Sequence, residues 1–109
     1  MARGVNRGEI WQYAFKPPDK RRPVVVLTRS EVIDFLDTVM VAPITSTVRG
    51  APSEVLVGVD EGLKRESAVN LDHVQTVDKR RLQRFVGSLD APKMRQVCRA
   101  LAIATGCSD

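Results

Sequence analysis

Hydrophobic and polar positions alternate along most of this chain. From Glu9 to Phe15, Ile10, Gln12 and Ala14 fall on one side, and Trp11, Tyr13 and Phe15 on the other. That period of two predicts a strand with an aromatic face. Pro17-Pro18-Asp19 forces a loop, because two fixed φ angles and two missing donors do not fit a sheet. Pro23 to Leu27 is an unbroken β-branched run, read as a buried strand whose first residue is proline. Ser30 to Phe35 is read as a helical turn and Thr38 to Ile44 as a third strand. A polar connection, Thr45 to Pro52, leads to a fourth strand, Glu54 to Val59, which Asp60-Glu61-Gly62 ends. Ser67 to Val77 reads as one long fifth strand. Its alternation puts Asp72 with Asn70 and Val74, and His73 with Leu71 and Gln75, on opposite faces. Phe85 to Leu89 is read as a short final strand.

The period changes at residue 91. Met94, Val97, Cys98, Leu101 and Thr105 form one helical stripe. Asp90 is placed to cap the N-terminus, Pro92 lies in the first turn, and Gly106 is placed to cap the C-terminus. Six short strands and one closing helix predict a mostly β chain with a C-terminal helix, folded as a small antiparallel β-barrel. At 109 residues the chain is expected to be a single domain, 1–109.

Composition narrows the function classes. The chain is 43% hydrophobic and 28% charged, as in an ordinary globular protein. The start, Met-Ala-Arg-Gly-Val-Asn-Arg-Gly, lacks a signal-peptide apolar stretch, and no apolar run approaches the roughly 18 residues of a membrane span. A cytoplasmic location is expected, with no membrane partner. Cys98 lies on the helical stripe and is expected to be a small buried hydrophobe; neither it nor Cys107 has the spacing of a zinc site. No metal or other cofactor is expected.

Seventeen Lys and Arg against 13 Asp and Glu give a formal charge of +4, which favours an acidic partner. The basic residues cluster twice: Lys16, Lys20, Arg21 and Arg22 around one loop, and Lys79, Arg80, Arg81 and Arg84 around another. Arg22 opens the second strand, and Thr45, Ser46 and Thr47 close the third. A permanent cation and hydroxyls at the tips of rigid strands suit a phosphate. Only one histidine occurs, so a two-histidine acid–base pair within one chain is excluded.

Four segments in order resemble the MazF/PemK (Kid) family of toxin–antitoxin systems. They are Arg7-Gly-Glu-Ile-Trp11, Arg22-Pro-Val-Val-Val26, Val41-Ala-Pro-Ile-Thr-Ser46 and Leu71-Asp-His-Val-Gln-Thr-Val-Asp-Lys-Arg-Arg-Leu82. Gly87, Leu89 and the terminal helix follow them. The resemblance implies a plug-like barrel of the Src-homology-3 type, shared by MazF and CcdB toxins, and a homodimer. It also implies metal-independent cleavage of single-stranded RNA at short sequences, and neutralisation by an acidic, partly disordered antitoxin.

By resemblance Arg22 matches a catalytic Arg of the MazF branch, and Thr45 and Ser46 match the Thr and Ser of its Ile-Thr-Ser segment. Asp72 matches an Asp proposed as the base in the Kid branch. The catalytic candidates are therefore Arg22, Thr45, Ser46 and Asp72. Lys16, Lys20, Arg21, Asn70, His73 and Gln75 are candidates for binding RNA. This chain departs from the Kid pattern at two places: Asn70 stands where Kid has Arg, and residues 16–21 contain no His. His73 stands where the family often has Gln, and Gln75 where it often has Arg. Two other functions fit the same fold class: a CcdB-like gyrase poison, which needs no Arg22–Thr45 pair, and a non-catalytic RNA-binding barrel. The second is disfavoured because only Phe35 and Phe85 supply aromatic rings after residue 15.

Overall fold

The computed structural model describes residues 4–17 and 21–107. Seven strands, β1 (Glu9–Ala14), β2 (Arg21–Val26), β3 (Thr38–Thr45), β4 (Glu54–Val57), β5 (Ser67–Asn70), β6 (Gln75–Asp78) and β7 (Leu82–Ser88), form one antiparallel sheet. The order is β4-β5-β3-β2-β1-β7, with β6 also paired to β3. A short helix α1 (Ser30–Ile33) follows β2, and α2 (Ala91–Thr105) closes the chain.

The central strands are buried on both faces, which is why they read as continuous valine runs. One core holds Ile10, Val25, Ala42, Ile44, Val69 and Leu71, with Val97 and Ala100 of α2 laid over it. The other holds Trp11, Tyr13, Val24, Val26, Val41 and Val77. The aromatic side of β1 thus faces one core and Ile10 the other, as the alternation predicts. Glu9 is buried and accepts hydrogen bonds from the Asn6 amide (2.8 Å) and the Trp11 indole (3.1 Å), tying the Arg7–Trp11 segment together.

The fifth predicted strand is two strands. β5 and β6 run antiparallel to the same edge of β3, β5 opposite Ile44 and Thr45, β6 opposite Thr38 to Val41. Between them a 3-10 turn of three residues, Leu71–His73, is looped out of the ladder. Leu71 fills the first core, and its amide donates to the Ser53 carbonyl at 3.0 Å. The Asn70 side chain caps the turn by accepting from the Asp72 amide at 3.0 Å. This local bond offers the backbone an alternative to the ladder. Asp72 and His73 therefore leave the strand period and both point outward.

The sheet ends, β4 and β7, do not pair with each other. A 3-10 turn at Val59–Glu61 lies against β7 instead. Two glycines permit the contact. A Cβ on Gly87 would stand 2.1 Å from the Glu61 carbonyl oxygen, and one on Gly62 would stand 2.6 Å from that of Val86. The seventh strand is longer than the predicted Phe85–Leu89, since β7 begins at Leu82.

Helix α2 has its predicted bounds. Asp90 accepts from the Lys93 amide at 2.9 Å, Pro92 sits in the first turn, and Gly106 ends the helix at φ 73°. The buried helical face is carried by Val97 and Ala100, so Cys98 is exposed rather than buried. Its sulfur accepts from the Arg7 guanidinium at 3.3 Å. A helical turn advances about 100° per residue, and the stripe through Cys98 lies just off the contact line.

Candidate active-site groove

β2 starts at the same end of the sheet where β3 finishes, because the two strands are antiparallel. That register brings Arg22 beside Thr45. Pro23 follows Arg22 and fixes the backbone angle at the strand mouth. Arg22 is half-buried, and among the described residues its guanidinium has no ion pair or hydrogen bond.

Three contiguous grooves meet at this residue. The first, about 490 Å³, is lined by Arg21, Arg22, Thr45, Ser46 and Thr47, and on its far side by Lys64, Arg65 and Arg84. The second, about 430 Å³, places Arg22, Thr45 and Thr47 opposite Asn70, Asp72 and His73. The third, about 120 Å³, is formed by Phe15, Arg22, Pro43, His73 and Gln75. Arg22 is shared by all three.

The hydroxyls are set by a turn. Thr45 accepts from the Thr47 amide at 3.1 Å, which orders the chain as it leaves β3 and leaves its hydroxyl hydrogen free to donate. The following loop is held by Glu54, whose Oε1 accepts from the amides of Arg49, Gly50 and Ala51 at 3.1, 2.9 and 3.3 Å. Asp72, on the opposite wall, accepts from the hydroxyl of buried Ser53 at 2.5 Å.

The candidates thus divide by position. Arg22, Thr45 and Asp72 line one groove together, with Asn70 and His73; Ser46 and Arg21 line the adjoining one. Gln75 joins His73 and Arg22 in the third. Asp72 and His73 face the same groove, contrary to the strand alternation, because the Leu71–His73 turn releases both from the ladder. Lys16 is exposed just beyond β1 and lines none of the three grooves. Lys20 lies outside the described residues.

The second basic cluster is mostly engaged in holding the fold. Lys79 Nζ donates to the Ile33 carbonyl at 2.8 Å, and Arg81 lies over the Tyr13 ring at 5.7 Å. Arg80 pairs with Asp78 at 2.9 Å. Those hydrogen bonds from Arg80 lower the Asp78 carboxyl to about 2. Only Arg84 of that run reaches the groove. Gln12, Lys64 and Arg65 also line the first groove, and Ser53 supports Asp72; of these the sequence marks only Lys64-Arg65, a basic dipeptide at a strand mouth like Arg21-Arg22.

Relatives share this arrangement's scaffold. The sequence model of the PemK-like, MazF-like toxin of type II toxin–antitoxin systems matches residues 6–105. The chain is 44% identical over 104 residues to probable endoribonuclease MazF5 of Mycobacterium tuberculosis, covering 94% of each. It is 43% identical over 86 residues to endoribonuclease MazF3 of the same organism, covering 79% of this chain and 84% of the relative. The solved structure of Mycobacterium tuberculosis toxin MazF-mt6 superposes with a TM-score of 0.85 at 38% identity, over 93% of this chain and 99% of that one. The motifs around Arg22, Thr45 and Asp72, the sheet that gathers them and this match over nearly the whole chain agree: the protein belongs to the MazF-like, PemK-like toxins of type II toxin–antitoxin systems.

Proposed function

We propose that this chain, acting as one domain, is an endoribonuclease toxin that cuts single-stranded RNA at short sequences without a metal. The observation that carries the reading is the place of Arg22. A guanidinium without an ion pair or hydrogen bond among the described residues stands where three grooves meet, with strand-end hydroxyls on one side and a carboxylate on the other. A phosphodiester seated on that fork would have Thr45 and Ser46 donating to its oxygens and Asp72 facing the ribose. Removal of the 2′-hydroxyl proton by Asp72 lets the 2′-oxygen attack phosphorus. The P–O5′ bond breaks as the 2′-oxygen bond forms, and the departing 5′-oxygen takes a proton from water, leaving a 2′,3′-cyclic phosphate and a 5′-hydroxyl. Arg22 stabilises the charge that builds on the phosphoryl oxygens, the kind of interaction that is usually the largest electrostatic contribution. Ser53, donating to Asp72, holds the carboxylate's orientation. Asn70, His73 and Gln75 line the walls where bases lie, and Lys16, Lys20 and Arg21 serve the RNA backbone.

A toxin of this family has an antitoxin counterpart, and the basic grooves suit an acidic segment laid across them. A homodimer is supported by an apolar groove of about 540 Å³ between α2 and the β3 edge, lined by Met40, Leu71, Val74, Leu101 and Ala104. No helix among the described residues is long and apolar enough to cross a membrane. An mRNA substrate places the activity in the cytoplasm.

The test is incubation of purified protein with cellular RNA in EDTA, followed by sequencing and end-group analysis of the fragments. Recurrent short cleavage sites with cyclic phosphate ends are expected. Intact RNA, or cleavage that needs added metal, refutes the reading.

A further inference from the structure

The basic run Lys79–Arg81 stands out in the sequence, yet the fold engages it. Lys79, Arg80 and Arg81 each have a partner within the chain. Lys64, Arg65 and Arg84 are exposed, and among the described residues their charged groups have neither ion pair nor hydrogen bond. They come from segments far apart in sequence. Lys64 and Arg65 follow the Val59–Glu61 turn, and Arg84 belongs to β7. The close approach of Gly62 and Gly87 seats that turn on β7 and brings the three cations to one wall.

Arg21 and Arg22 face them across the 490 Å³ groove. Among the described residues no carboxylate lines it. Like charges gathered in one cleft repel, and a cleft of one sign focuses field on a counter-ion. The groove shares Arg22, Thr45 and Thr47 with the second groove, but Asp72 lines only the second, and Lys64, Arg65 and Arg84 line only the first.

We propose that Lys64, Arg65 and Arg84 form a backbone subsite that takes the phosphates flanking the scissile one in single-stranded RNA. The proposal rests on the nuclease reading for the place of cleavage, but its own content is binding. Its occupant is a strand with regularly spaced anions. Because no aromatic ring among the described residues lines this wall, the subsite reads charge rather than base identity.

The experiment measures binding of a random-sequence single-stranded RNA, longer than the roughly 16 nucleotides a small barrel spans, across a salt series. It compares three proteins: the full chain, the K64A/R65A/R84A variant and the charge-conserving K64R/R65K/R84K variant. All three residues are exposed, so circular dichroism is expected to match. Loss of three phosphate contacts should lower the log–log salt slope by about 2, at roughly 0.7 per contact. The charge-conserving variant should keep the original slope. With RNA cut to about 4 nucleotides, the low end of such sites, the difference should vanish. An unchanged slope in the alanine variant overturns the subsite. So does equal loss in both variants, persistence of the difference on the short RNA, or no RNA binding by the unmodified chain. RNA that is bound with this pattern but never cut would instead refute the nuclease reading and leave the subsite standing.

Discussion

Replacing Arg22 with alanine separates chemistry from binding. The residue sits at the mouth of β2, half-buried, and its side chain takes no part in either hydrophobic core. Val24, Val25 and Val26, which anchor the strand, keep their packing. Stability should therefore move by no more than about 0.5 kcal/mol. Binding should weaken only modestly, because Arg21, Lys64, Arg65 and Arg84 remain along the first groove. The transition state loses the one cation common to the three grooves. If that loss resembles removal of an oxyanion donor, it costs about 2.7–4 kcal/mol, or roughly 10²–10³ in kcat. Arg22→Lys should recover part of the charge but not the bidentate fork, leaving a rate between the two. The assay is single-turnover cleavage of RNA in EDTA at saturating protein, with thermal melting as the control for folding. A folded Arg22→Ala protein that cuts at the unmodified rate refutes the assignment. So would a loss no larger than that of the Lys64/Arg65/Arg84 variant, since Arg22 would then be one cation among several.

Three further outcomes follow from particular contacts. Ser53→Ala removes the 2.5 Å donor to Asp72 and frees the carboxylate to turn, so single-turnover cleavage should fall, whereas Ser53→Thr should restore it; an unchanged rate would mean the bond is only structural. Gly87→Ala drives a methyl toward the Glu61 carbonyl, and the melting midpoint should fall by the equivalent of about 1–3 kcal/mol, with no change meaning that the turn does not rest on β7. The Asp78 carboxyl is lowered from 3.8 to about 2 by the Arg80 side-chain hydrogen bond, so its contribution is present above the ordinary carboxylate range and lost as pH falls toward 2. The melting difference between the unmodified chain and Asp78→Asn should accordingly shrink over that interval, and a difference constant with pH would contradict the linkage.

Periodicity alone determined most of the secondary structure, because each of these elements buries one or both of its faces in a regular rhythm. The two-sided β1, the valine-filled β2 and the capped helix α2 were legible for that reason. The hydroxyl end of β3 and the Arg22-Pro23 mouth were legible too, since each is marked within a few residues of chain. Three matters were decided only by tertiary structure. The Leu71–His73 turn keeps an alternating pattern in the sequence, but three residues leave the ladder because Leu71 is drawn into the core and Asn70 caps the turn. That change of register, invisible to a period of two, puts Asp72 and His73 in one groove. Cys98 shares a helical stripe with Val97 and Leu101, yet the helix rests on Val97 and Ala100, and which line of a helix makes contact depends on what lies beneath it. The cations that have no partner among the described residues were hidden for the opposite reason to the engaged ones. Lys79 to Arg81 cluster along the chain and find partners nearby, whereas Lys64, Arg65 and Arg84 meet only when two glycines let a turn close over the last strand. Charge density along a sequence is a local property; charge left unpaired in a groove is a property of the fold.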